Sequence, residues 1–138
     1  MQQLITNIQE LPAFATQFLD KYSHHRIFLF EAEMGCGKTT FIQELLRQMG
    51  VENPNGSPTY SIVNEYTTSN YGKIYHFDLY RIQDEEEIYD IGIEDMLYDG
   101  AYCFIEWPQI ITLLIPDNVV KITIKLGDSS ERFFEIEP

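Results

Sequence analysis

The chain has 138 residues, 44% of them hydrophobic and 14% aromatic, which is the composition of a folded domain able to bury its own core, and no apolar run approaches the roughly 18 residues of a membrane span. Nine basic residues against 22 acidic ones give a formal net charge of −13. That balance excludes strong direct binding to nucleic acid, which rests on Lys and Arg neutralising phosphates, but leaves room for a basic protein partner.

The first residues, MQQLITNIQELPAF, contain no basic stretch followed by an apolar one, so no secretory leader is expected and a cytosolic location is predicted. Residues 10–22 place Leu11, Phe14, Ala15, Phe18 and Leu19 at helical spacing. His24 and His25 then open a turn, where both are expected to be exposed. RIFLFE, residues 26–31, is a short apolar run of the buried-strand kind.

Directly after it stands EAEMGCGKTTF, residues 31–41, which departs by one residue from a phosphate-binding loop. The pattern asks for Gly, four free positions and then Gly-Lys-Ser/Thr. Gly37, Lys38 and Thr39 fit, and Ala32 stands where the first Gly belongs. Alanine is acceptable there provided its φ stays negative. The following TTFIQELLRQMG carries Phe41, Ile42, Leu45, Leu46 and Met49 on one helical face, and Gly50 ends it. Strand, loop and helix are the context such a loop requires. Backbone N–H groups of Glu33, Met34, Gly35, Cys36, Gly37, Lys38, Thr39 and Thr40 would cradle phosphates at the positive helix end. Lys38 would supply a charge for the outer phosphates and Thr39 a hydroxyl for Mg²⁺.

TYSIVNEYTT and KIYHFDLYRI predict two strands of a hairpin turning at SNYG. Residues 84–97 are acidic and predict one or two short helices broken at Gly92, with a solvated face. AYCFIEW, 101–107, predicts another buried strand. Pro108 and Pro116 bracket a helical turn, and NVVKITIKL and ERFFEIE form a hairpin around GDSS. A phosphate loop needs a second acid near the metal, commonly at the end of a buried strand. Asp78 and Glu106 both answer that description. Thr59, after the loop NPNGSPT, is placed to sense a terminal phosphate as switch loops do. Trp107 is expected to pack, or to form part of a partner-facing or substrate-facing surface. Cys36 and Cys103 lack zinc-ligand spacing and are expected to behave as small apolar residues, Cys36 with the more reachable thiol. The whole predicts one α/β domain over residues 1–138.

The succession M-G-C-G-K-T-T-F, S-P-T-Y, H-F-D-L-Y-R and I-E-W, in that order, resembles the TsaE (YjeE) family of small bacterial P-loop ATPases. The resemblance implies a P-loop NTPase-like three-layer fold, a central mostly parallel sheet with antiparallel hairpins. It implies an ATP-binding, Mg²⁺-dependent subunit that supports threonylcarbamoyladenosine modification of tRNA with TsaD and TsaB, reaching tRNA through that complex. Lys38 then looks like the phosphate lysine, Thr39 and Glu106 like the metal ligands, and Asp78 like an acid needed for hydrolysis to ADP. Thr59 falls in the switch-like loop. Residues Thr6 to Glu10 and the C-terminal hairpin turn would wall the adenine, and Arg81 or a partner would supply any arginine finger. Two other classes fit a phosphate loop: a small-molecule kinase, which usually carries an arginine-rich lid that this chain lacks, and a non-catalytic nucleotide-binding adaptor.

Overall fold

The computed structural model describes residues 1–32, 37–54, 62–128 and 130–138. Seven strands form one sheet: β1 (Gln2–Ile5), β2 (Ile27–Ala32), β3 (Val63–Thr68), β4 (Gly72–Asp78), β5 (Tyr102–Glu106), β6 (Val119–Leu126) and β7 (Arg132–Glu137). Their spatial order is β1-β7-β6-β2-β5-β4-β3. The middle is parallel, with β2 between β6 and β5 and β4 beyond β5. Both flanks are antiparallel: the β3–β4 hairpin on one side, and β6, β7 and β1 on the other.

The central strands β2 and β5 read as unbroken apolar runs because both of their faces are covered. Phe28, Phe30, Ile74 and Phe104 pack on one face beneath α1 (Leu11–Tyr22) and α2 (Lys38–Gln48). Ile27, Leu29, Phe77 and Ile105, one step out of phase, pack on the other, beneath α3 (Glu85–Ile91), α4 (Ile93–Tyr98) and the 3-10 segment Pro108–Leu114. The result is three layers, helix, sheet, helix. Phe41 of α2 is fully buried, with ring centroids 5.3 Å from Phe14, 5.5 Å from Phe18 and 5.0 Å from Phe134. This aromatic cluster fixes α2 one turn beyond its first residue. Cys103 is buried, as expected; Cys36 lies outside the described residues.

The expected helix break falls where predicted. Gly92 takes a left-handed conformation, φ 84°, at once the last cap of α3 and the first of α4. Strand β1 was not foreseen. Its four residues have no alternation strong enough to mark them, and they form a strand because β7 offers its free edge, in register from Gln2 opposite Glu135 to Ile5 opposite Arg132. No helix among the described residues is long and apolar enough to cross a membrane.

Candidate functional site

Strand β2 ends at Ala32, which still pairs with Ile124 of β6. Among the described residues the only non-glycine with positive φ is Trp107, so Ala32 takes the extended geometry that alanine adopts without strain. The missing glycine therefore leaves the end of the strand intact. Glu33, Met34, Gly35 and Cys36 lie outside the described residues, as does Thr59.

The chain resumes at Gly37, whose φ of 92° and ψ of 17° are left-handed. Helix α2 begins with the next residue, Lys38. Its first-turn N–H groups have no partner within the helix, so they and the helix dipole present positive charge at this end. Lys38 itself is buried, 7% exposed. Its Nζ donates to the Ala32 carbonyl oxygen at 3.4 Å and sits 3.4 Å from the centroid of the Trp107 ring. Trp107 reaches this position through its own left-handed backbone, φ 59° and ψ 60°, and its ring packs on Tyr80 at 4.9 Å. No sequence signal marked the indole as a seat for the lysine. Only the non-glycine turn directly after β5 brings it there.

The acids arrive by strand parity. Residues 76 and 78 of β4 and 106 of β5 share the face that looks toward α2, and Asp78 stands opposite Glu106 in the ladder. Glu106 is 2% exposed. Its Oε1 accepts the Thr39 hydroxyl at 2.6 Å, and its Oε2 lies 2.7 Å from Nε2 of His76, which is itself buried. Burial works to raise the Glu106 pKa, but the His76 hydrogen bond and charge, the Thr39 hydroxyl and the Lys38 charge outweigh it and hold the carboxyl below its ordinary range. Glu106 is thus ionised at neutral pH. Asp78 is exposed, and its Oδ1 accepts the Tyr80 N–H at 3.2 Å.

A cleft of about 380 Å³ opens over this group, lined by Gly37, Lys38, Thr39, Thr40, Asp78, Tyr80, Glu106 and Trp107. Beside it, sharing Gly37 and Thr40, lies a second hollow of about 330 Å³ whose wall is largely apolar: Ile5, Ile8, Leu11 and Phe134, with Asn7, Ser130 and Arg132 at polar points. Its two sides are tied together, since the Ser130 hydroxyl donates to the Thr6 carbonyl at 2.9 Å and the Thr6 hydroxyl donates to Glu10. The segments Thr6 to Glu10 and the β6–β7 turn thus meet over one hollow.

The described part of the site therefore unites Lys38, Thr39, Thr40, Gly37, Asp78 and Glu106 in one cleft and adds His76 and the Trp107 seat. Thr39 and Glu106 together present hard oxygen donors of the kind Mg²⁺ prefers. Arg81 is exposed just beyond β4 and does not line the cleft.

The sequence model of the family described as Threonylcarbamoyl adenosine biosynthesis protein TsaE matches residues 5–134. A protein of Rickettsia bellii (strain RML369-C) named tRNA threonylcarbamoyladenosine biosynthesis protein TsaE is 35% identical over 136 residues, spanning 98% of this chain and 93% of that protein. A protein of Bacillus subtilis (strain 168) with the same name is 32% identical over 106 residues, 77% of this chain and 65% of its own length. The crystal structure of Bacillus subtilis YdiB superposes with a TM-score of 0.75 at 24% identity, covering 97% of this chain and 82% of that one. At that identity the likeness speaks for the α/β fold.

Proposed function

The chain belongs to the TsaE family of tRNA threonylcarbamoyladenosine biosynthesis, and from that premise we propose that it is a P-loop ATPase, an Mg²⁺-dependent subunit that binds and hydrolyses ATP. Its work is to support the modification together with TsaD-like and TsaB-like proteins. The observation that carries this reading is the Thr39–Glu106 hydrogen bond of 2.6 Å at the start of α2, with Lys38 one residue before it. A helix-start hydroxyl joined to a strand-end acid is what a phosphate loop and its metal acid require of each other.

The two hollows divide a nucleotide between them. The phosphates lie in the cleft over Gly37 to Thr40, where the N–H groups of the first turn of α2 and the Lys38 ammonium neutralise them. To reach them, Lys38 leaves the face of Trp107. The base lies in the apolar hollow, between Ile8 and Leu11 on one side and Arg132 and Phe134 on the other. Thr39 and Glu106 would hold Mg²⁺, which when bound would supply charge neutralisation at the outer phosphates. Asp78, exposed on the cleft wall, accepts a hydrogen bond from the attacking water and turns its oxygen toward the terminal phosphorus. That oxygen bonds to phosphorus as the bridging P–O bond breaks and the water's proton passes to a phosphate oxygen, giving ADP and phosphate. Transition-state charge is met by fixed groups, with no covalent step. Among the described residues no arginine lines the phosphate cleft, and Arg132 is the one that lines the base hollow, with its Nε toward Gly37; turnover is slow in isolation and rises in complex with the partners.

Purified chain, alone and with TsaD and TsaB, assayed for phosphate release in wild type and Lys38→Ala, tests the proposal. Slow hydrolysis that the partners stimulate and the substitution abolishes is expected. Hydrolysis indifferent to Lys38→Ala, or no binding of ATP at all, would overturn it.

A further inference from the structure

The family motif H-F-D-L-Y-R contributes Asp78 to the cleft wall, but its histidine lies deeper. His76 sits inside β4, two residues before Asp78 and on the same face, with 7% of its surface exposed. Its neighbours along the strand are apolar: Ile74 is fully buried on the same face, and Tyr75 and Phe77 are buried on the other. An apolar side chain is the ordinary occupant of such a position, and a buried imidazole there is costly unless its nitrogens are engaged. Its Nε2 is engaged at 2.7 Å, and the partner is the Glu106 oxygen that Thr39 does not use.

Resting on the reading of Thr39 and Glu106 as the metal-holding pair, we propose that His76 is a positioning residue that fixes the orientation of the Glu106 carboxylate. The terminal torsion of a glutamate is broad and close to two-fold, so one hydroxyl contact leaves the group free to swing. Two anchors on opposite oxygens remove that freedom. His76 Nε2–H holds Oε2, and Oε1 is thereby turned onto the Thr39 hydroxyl at the start of α2. The arrangement resembles the outer-sphere partners that orient metal ligands elsewhere, with the imidazole acting on the acid. Because β4 and β5 are in register here, Phe104 opposite His76 and Glu106 opposite Asp78, the sheet sets the distance and no loop need move to form the contact.

Two measurements test this. The first uses wild-type protein free of nucleotide and metal, with ring-nitrogen NMR of the histidines and His76 assigned by its loss in His76→Gln. The expected result is a slowly exchanging, downfield Nε2–H. An Nδ1–H tautomer, or an Nε2 proton lost to rapid exchange, would overturn the proposal whatever the metal does. The second is the Mg²⁺ concentration that half-saturates the tightening of a fluorescent ATP analogue, measured alongside its affinity in EDTA. His76→Leu raises that concentration about tenfold or more, in line with the effect of removing an orienting partner from a metal site, and leaves the EDTA affinity unchanged. His76→Gln, whose amide nitrogen reaches the place of Nε2, stays near wild type. A Leu variant with wild-type Mg²⁺ dependence would refute the positioning role. If Mg²⁺ has no effect on wild type, and Thr39→Ala and Glu106→Gln alter nothing, the metal-pair reading fails, while the NMR result still decides the His76–Glu106 geometry. Should the Leu variant not fold, the NMR result decides.

Discussion

Replacing Gly37 with alanine separates conformational strain from crowding at the start of α2. The backbone at Gly37 is left-handed, φ 92°. Among the described residues, a methyl group added there would come no closer than 3.8 Å to any non-neighbouring atom, and that atom is Nε of Arg132, on a flexible side chain. That contact is an ordinary one, so the described surroundings add no crowding and the cost worked here is conformational. An L-residue in this region costs about 1–2 kcal/mol. Gly37→Ala should lower the unfolding free energy by that amount in urea titrations, with an unchanged slope. Gly37→Asn has a larger side chain but tolerates left-handed angles better, and it should lose less than alanine. Nucleotide affinity should follow the same order, because a chain that escapes the strain does so by rotating the peptide that leads into the helix. If Gly37→Ala were as stable as wild type, or Gly37→Asn were the worse of the two, the conformational account would be wrong.

Two further outcomes follow from the protonation of buried groups. The Glu106 carboxyl is held below its ordinary value of 4.5 in the folded state, so its ionisation contributes stability that is present above that pH and is lost as pH falls through the lower folded value. The difference in melting temperature between wild type and Glu106→Gln should therefore narrow as pH drops below 4.5, and a widening would contradict the cause assigned. Burial, aided by the charge of Asp99, pushes the Cys103 thiol up to about 12. In a Cys36→Ser background the native protein should not react with a disulfide reagent at pH 8, whereas urea-unfolded protein should react fully. Rapid native labelling would show that β5 opens locally.

Much of this architecture is written in local patterns. Phe14, Phe18 and Leu19, then Phe41, Leu45 and Leu46, mark α1 and α2 by spacing alone, and RIFLFE and AYCFIE mark the two central strands by unbroken apolarity. Asp78 and Glu106 could be selected because each closes an apolar run, and the sheet register then sets them opposite one another. What sequence could not supply is whatever depends on two distant segments. Strand β1 exists only because β7 has an open edge. His76 looks like one more residue of a buried strand until β5 is laid beside it and Glu106 turns out to be its partner. Trp107 gives no sign of its left-handed backbone, since the residue type disfavours that region and the packing of its ring on Tyr80 and beneath Lys38 accompanies it. The acidic run 84–97 was legible as helices and as a solvated face.

The pairing of β1 with β7 joins residues 2–5 to residues 132–135, almost the full length of the chain apart. Synthesis on the ribosome runs from the first of these segments to the second. The helix-bearing loop and strand β2 can leave the exit tunnel and begin to collapse while β1 still has no edge to join. Ile5 and Ile8 on one side of the apolar hollow therefore wait for Ser130, Arg132 and Phe134 on the other. Closing so long a loop is the slowest kind of contact to form. The hollow that would receive a base is thus a late product of biogenesis, and a nascent chain arrested before its final hairpin would have the lysine and the acids without a pocket beside them.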